Sequence, residues 1–225
     1  MTFKDDGFAI LPGVVSPEAC DELIKSIADR DLSNPGSRTL LRLPIILDTA
    51  KAMHRHIADT GLMSERHEPV QCALFSKGGN ANWSITPHQD LSIPLPERHD
   101  IRGWSGWSIK ENIWFAQPPT SVLADLVAVR LQLDDHSSDT GPLEVVPGSH
   151  VKGRLASAAV TRYAEHRMKC IVPRGGVLVM RPLLIHSSSK SLSPLPRRVL
   201  HFLYGPPLPS GLLWPESDLL LASNG

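Results

Sequence analysis

Apolar residues recur with two different periods along the chain, helical in the first third and strand-like afterwards. Phe8-Ala9-Ile10-Leu11 ahead of Pro12 predicts a short strand at a sheet edge, because proline removes a ladder donor. Ser16 is placed as an N-cap, with Pro17 at the first helical position and Glu18 and Asp21 in the opening turn. Leu23, Ile24 and Ile27 supply that helix with its apolar stripe, and Asn34-Pro35-Gly36 is the turn signal that closes it. A second helix is expected from Asp48 to about Asp59, ending near Gly61, so that helices occupy about residues 16–61.

From Val70 onward the pattern alternates. Val70–Phe75, Val127–Leu133, Lys169–Val172, Val177–Met180 and Val199–Tyr204 read as strands separated by Pro, Gly, Asp and Ser clusters. Residues 91–120 have no clear period and carry Trp104, Trp107 and Trp114. So long a loop is expected to be functional, a lid over a site, with a static arm anchored by its tryptophans as the alternative. The expectation is a mainly β fold with N-terminal helices, a barrel or jelly roll with its core at about 70–205, in one domain spanning residues 1–225.

Composition narrows the function. The 23 Lys+Arg balance the 23 Asp+Glu, which argues against nucleic acid as a partner, since phosphate binding needs a basic surplus. No apolar run approaches the twenty or so residues of a membrane span, and the N-terminus reads as neither signal nor transit peptide. Three scattered cysteines, Cys20, Cys72 and Cys170, suit neither a disulfide framework nor a zinc knuckle, so a cytoplasmic location is expected. Twenty prolines fit short strands and many turns, and ten histidines invite a search for a metal site.

The search begins at Thr86-Pro87-His88-Gln89-Asp90. Positions i and i+2 of a strand share a face, which would set the His88 imidazole beside the Asp90 carboxylate. These are two of the three ligands of a two-His-one-carboxylate Fe(II) site, although a short His-x-Asp is common on protein surfaces. His186, closing the apolar run Gly175–Ile185, is the candidate third ligand; alone, it would read as a core histidine. Arg197 follows eleven residues later, after a polar turn, and a hairpin would return its guanidinium towards the metal. There it could fork onto the distal carboxylate of 2-oxoglutarate, with Arg198 facing the other way. His150, with Arg162 twelve residues on, is the decoy, because Val151–His166 reads as loop and helix. His54, His56, His67 and His99 read as surface residues.

The segment from about Val70 to Tyr204 resembles the phytanoyl-CoA dioxygenase family of Fe(II)/2-oxoglutarate oxygenases. His88-Gln89-Asp90 is similar to its iron-binding motif. Val129–Asp135, Thr140-Gly141-Pro142-Leu143 and Val146-Pro147-Gly148-Ser149-His150 resemble its strand, turn and Pro-Gly-Ser-His signature. His186 through Arg197 resembles the third-ligand and cosubstrate segment. The resemblance implies a double-stranded β-helix (cupin-like jelly roll) with Fe(II) held by His88, Asp90 and His186 between two sheets. It makes the loop before His150 structural and implies 2-oxoglutarate and O2 as cosubstrates. Ser188 falls where relatives contact 2-oxoglutarate, as does Arg130, whose alternative is a core-rim arginine paired with Asp134 or Asp135. Lys77 falls where relatives place a lysine near the cofactor; otherwise it is a solvated turn residue before Gly78-Gly79. Pro87 departs from the aromatic residue many relatives carry before the first histidine.

The expected function is Fe(II)/2-oxoglutarate-dependent hydroxylation of a C–H bond in a small metabolite, releasing succinate and CO2, with no nucleic-acid or membrane partner and an open oligomeric state. The alternative is a metal-dependent cupin-like isomerase or binding protein that never uses 2-oxoglutarate. No basic cluster suited to coenzyme A phosphates stands out, since Arg98, Arg102 and Lys110 are scattered among acidic and aromatic residues.

Overall fold

The N-terminal capping pattern forms as its residues dictate. After a one-turn helix α1 (Phe3–Asp6), strand β1 (Phe8–Leu11) leads to α2 (Pro17–Ser26), where the Ser16 hydroxyl accepts from the Ala19 amide and Pro17 opens the first turn. The computed structural model describes residues 2–28, 38–78 and 82–215; Asn34-Pro35-Gly36 lies outside them. The second helix, α3 (Pro44–Asp59), starts one turn before the expected Asp48 because Pro44 takes the first helical position and Ile46 and Leu47 are buried. Gly61 follows its C-terminus at φ +76°, as expected of a glycine that turns the chain out of a helix.

The remaining elements are β2 (Glu68–Lys77), β3 (Ile85–His88), β4 (Ile93–Leu95), β5 (Ser105–Lys110), β6 (Ile113–Gln117), α4 (Thr120–Asp125), β7 (Val127–Gln132), β8 (Leu143–Val145), α5 (Ser157–Tyr163), β9 (Met168–Cys170), β10 (Val177–Met180), β11 (His186–Ser188) and β12 (Arg197–Gly205). They build a five-stranded sheet in the order β1-β10-β7-β12-β2, a four-stranded sheet β3-β11-β8-β9 and a small sheet β4-β6-β5, with every pairing antiparallel. The chain passes repeatedly from the larger sheet to the four-stranded one and back. This is the winding of a double-stranded β-helix, and β1 sits at a sheet edge as expected.

Alternation gives the larger sheet two apolar faces. Leu74, Val129, Leu131, Val177, Val179, Leu200, Phe202 and Tyr204 pack outward against Leu23, Ile27, Ile46, Ala50 and Met53 of α2 and α3. The other face looks into the barrel, where Ala128, Leu178 and Met180 meet Leu143, Val145 and Leu184. The helices therefore hold the sheet from behind and leave its inner face free for chemistry.

Residues 91–120 are not a structureless loop. They contain β4, β5 and β6, the last two joined through Glu111 and Asn112 at φ +51° and +62°, the pair of positive angles a tight hairpin needs. Trp104, Trp107 and Trp114 pack against one another and onto the apolar cluster of Ile93, Leu123 and Leu203.

Candidate active site

His88 is the last residue of β3 and stands directly opposite His186 on β11, with ring centroids 4.2 Å apart. Two details differ from expectation. Asp90 lies beyond β3, fixed by its own amide donating to the Pro182 carbonyl at 2.9 Å, so a turn rather than strand alternation brings it beside His88. His186 opens β11 instead of closing β10: after Met180 the chain turns through Arg181–Leu184 and enters the opposite sheet. The link from His186 to Arg197 is therefore a crossing of the barrel, not a hairpin within one sheet.

Asp90 Oδ1 is 3.7 Å from His88 Nε2 and Asp90 Oδ2 is 3.6 Å from His186 Nε2, and one ligand atom from each of the three lies within 4.8 Å of the others. The outer ring nitrogens explain this orientation. His88 Nδ1 faces the Thr86 carbonyl at 2.9 Å and His186 Nδ1 the Leu184 carbonyl at 2.9 Å; each can only donate there, which leaves both Nε2 lone pairs aimed at the carboxylate. Burial pushes the His186 imidazole down and keeps it neutral. Burial alone would raise the Asp90 carboxyl, but the charge that His186, His201 and His88 carry when protonated, together with the Arg130 guanidinium, holds it below the usual carboxylate range. Two imidazoles and one carboxylate converging on one point suit a divalent transition metal with open positions. Gln89, between the ligands, is an anchor: its amide donates to the Gly153 and Leu183 carbonyls and accepts from the Leu155 amide.

The inner face of the larger sheet supplies cations opposite this triad. Arg197 on β12, 2% exposed, stands across from Lys77 on β2, 1% exposed. Lys77 Nζ donates to Ser188 Oγ at 2.8 Å and to the Ser189 carbonyl at 2.6 Å, tying the two sheets together. Gly141, φ +67°, makes room for that segment, because a Cβ there would lie 2.6 Å from the Ser189 carbonyl oxygen. Arg198 faces the other way, forked onto Asp134 at 2.5 and 3.0 Å, which sets the strand register and takes Asp134 from Arg130. Arg130 on β7 instead donates to His201 Nδ1 at 3.0 Å and lies over the Phe75 ring.

Among the described residues no carboxylate pairs with Arg197. Burial, then Arg130, brings its pKa down to about 9; burial, then Arg197 and Arg130, brings Lys77 to about 7. Arg197 Nε, Gln132 Nε2 and His136 Nε2 are buried without an acceptor. His136 Nδ1 accepts from the Val172 amide, so the orphaned Nε2 carries the proton of the neutral ring, whose pKa burial lowers to about 4. A cluster of buried donors lacking acceptors fits an anion with several oxygens, as a dicarboxylate is.

Of the residues expected at the site, His88, Asp90, His186, Arg197, Ser188 and Arg130 all line this interior. Lys77 joins them and is not a solvated turn residue. His150 does not: its Nε2 meets the Lys4 carbonyl and its ring fills the space over Gly7. His67 is tied to the Ser64 and Asp125 carbonyls, and His54 stacks on Tyr204. Sequence reasoning missed Gln132, His136 and His201. The last was recoverable by counting in twos from Arg197 along β12, since His201 shares its inward face; His136, beyond the end of β7, gave no periodic signal. Burial, then Arg130, lowers the His201 pKa to about 3.

A cavity of about 360 Å³ opens beside Asp90 and His201, lined also by Gln71, Phe75, Ser92, Lys110 and Phe115.

No curated protein matches the sequence. Several solved structures share the fold. EctD from S. alaskensis is 18% identical at a TM-score of 0.65, covering 91% of this chain and 74% of its own. HygX from Streptomyces hygroscopicus, with nickel, 2-oxoglutarate and hygromycin B bound, is 18% identical at 0.61, covering 91% and 84%. The non-heme alpha ketoglutarate dependent epimerase SnoN from nogalamycin biosynthesis is 15% identical at 0.63, covering 91% and 80%. The sequence profile described as phytanoyl-CoA dioxygenase (PhyH) matches residues 3–199, and the chain therefore belongs to that family of Fe(II)- and 2-oxoglutarate-dependent oxygenases.

Proposed function

We propose that the protein hydroxylates a C–H bond of a small metabolite in the cytoplasm, turning 2-oxoglutarate and O2 into succinate and CO2. His88 and His186 through Nε2, and Asp90 through its carboxylate, would hold Fe(II), with the Thr86 and Leu184 carbonyls fixing both rings. Arg197 would take the distal carboxylate of 2-oxoglutarate, assisted by Ser188 and Arg130. Bound there, iron supplies the oxidising chemistry that side chains lack. The chain's part is to fix the ligands, neutralise the dicarboxylate and keep water from the reacting bond with Ile93, Phe115, Leu123, Leu126 and Leu203 around the cavity.

The observation that carries this reading is Arg197: a buried guanidinium with no carboxylate partner among the described residues, on the face opposite the triad. A cupin-like protein that never used 2-oxoglutarate would gain nothing from leaving it unpaired. The cavity volume supports a small metabolite over an acyl-coenzyme A, as does the hygromycin B bound to HygX. Three free, buried cysteines suit a reducing compartment.

The test is succinate release from 2-oxoglutarate with Fe(II), ascorbate and O2, followed by product analysis under ¹⁸O2. A product heavier by one labelled oxygen is the expected outcome. An isomer of unchanged mass would replace hydroxylation with epimerisation, the reaction named for SnoN.

A further inference from the structure

His201 stands on the inner face of β12, four residues past Arg197, opposite Arg130 on one side and Ala73 on the other. Its ring is held in one pose. Arg130 donates to Nδ1 at 3.0 Å, and the Phe75 ring packs against it edge-on, at 78° and 5.7 Å. A guanidinium has only donors, so Nδ1 must offer its lone pair and the ring's proton must sit on Nε2. That Nε2–H has no acceptor among the described residues, yet it is not sealed in like the orphaned Nε2 of His136. It belongs to a residue that lines the 360 Å³ cavity together with the ligand candidate Asp90. The small Ala73 opposite leaves the ring accessible from that side.

We propose that His201 is a specificity-determining residue that donates its Nε2–H to an oxygen of the substrate. The protein then takes compact alcohols, hydroxy acids or sugar-like compounds and presents a C–H bond close to that oxygen. The inference rests on the oxygenase reading above and deepens it. Gln71, Ser92 and Lys110 in the same lining extend the polar recognition outward, while Phe75, Phe115 and Leu203 cover the carbon skeleton.

The experiment uses the full chain loaded with Zn(II) and 2-oxoglutarate. Long-range ¹H–¹⁵N NMR, assigned by the signal lost in His201→Asn, reports which ring nitrogen of His201 carries the proton. A panel of polyols, hydroxy acids and monosaccharides, each with its deoxy counterpart, is then titrated in. We expect a neutral Nε2–H ring whose proton resonance moves with oxygenated members and stays with the deoxy ones. His201→Phe should bind the same compounds roughly tenfold more weakly, about the worth of one neutral hydrogen bond, and His201→Asn should recover part of the loss. A proton on Nδ1, an imidazolium, no oxygenated compound moving the resonance, or unchanged binding by His201→Phe would each overturn the proposal. The tautomer and resonance are read on the wild-type protein, and a folded His201→Asn is needed only to assign them. Absence of succinate from the wild type with Fe(II) would instead bring down the oxygenase reading and this inference with it.

Discussion

Arg197 and Lys77 face each other directly across β12 and β2, two buried basic groups with no carboxylate paired to either among the described residues. Like charges in directly opposed positions destabilise a sheet. The arrangement is sustained on the Lys77 side by the Ser188 hydroxyl and the Ser189 carbonyl, which take the Lys77 protons. A bound dicarboxylate would remove the mismatch, so 2-oxoglutarate should raise the melting temperature of the metal-loaded protein, where succinamide should not.

Replacing Arg197 with Leu should raise the 2-oxoglutarate requirement at least roughly thirtyfold, since truncating one side of a buried charged pair costs about 2–5 kcal/mol. Metal affinity, measured by calorimetry, should stay nearly unchanged. Arg198→Leu breaks the fork onto Asp134 and should lower stability without altering the 2-oxoglutarate KM. The reverse result would put β12 out of register.

Lys77 gives a pH signature. Burial holds its pKa down at about 7 in the folded protein against the 10.5 of a free lysine side chain, so between these values the unfolded chain binds more protons than the native one. Stability of the ligand-free protein should therefore rise as pH rises from about 7 towards 10 through this group, and urea midpoints across that range measure it. A carboxylate placed beside Lys77 favours the ammonium form, so 2-oxoglutarate binding near pH 8 should take up protons. Calorimetry in buffers of different ionisation enthalpy would detect them, and Lys77→Met should abolish the uptake.

His88→Ala, Asp90→Ala and His186→Ala should each abolish iron-dependent succinate formation and weaken Fe(II) binding. His150→Ala is the control. It removes the contact to the Lys4 carbonyl and empties the space over Gly7, so it should cost stability while leaving Fe(II) binding intact. Wild-type activity in His186→Ala with loss in His150→Ala would reverse the ligand assignment.

What the sequence made legible, and what it hid, follows from the range of each signal. The Ser16-Pro17 helix start and the His88–Asp90 pair are marked by residues close in the chain. Alternation points to the right neighbour for Asp90 by the wrong route, since β3 stops at His88 and the Asp90 amide donates to the Pro182 carbonyl instead. Arg197 and Arg198 alternate whichever way the strand is turned; only Asp134, distant in sequence, decides which one faces in. In residues 91–120 the strands leave no alternating pattern, because β4 carries Pro94 and β5 is largely exposed. His201 lay in a strand whose apolar neighbours suggested only a core, and its partner Arg130 is 71 residues away.

The small sheet offers the last prediction. β6 is paired on both sides, by β4 and β5, whereas β5 has only β6 and an interrupted register between Ser105 and Ser108. Trp107 is what fixes β5: its ring stacks with Trp104 at 6.4 Å and meets Trp114 edge-on at 6.3 Å. Lys110, Phe115 and Gln117 from this sheet line the cavity, so its stiffness decides whether it acts as a wall or a lid. Hydrogen exchange on the ligand-free protein should find Ile113–Gln117 slow and Ser105–Lys110 faster, the pattern of a fixed wall with a weaker edge. Trp107→Ala should then release β5 alone. The expected cost is about 2 kcal/mol, below the 3–5 or so of a fully buried aromatic, with amides of β2, β7 and β12 unchanged. Rapid exchange throughout residues 93–117 before any ligand is added would make the whole segment a lid that orders only over substrate.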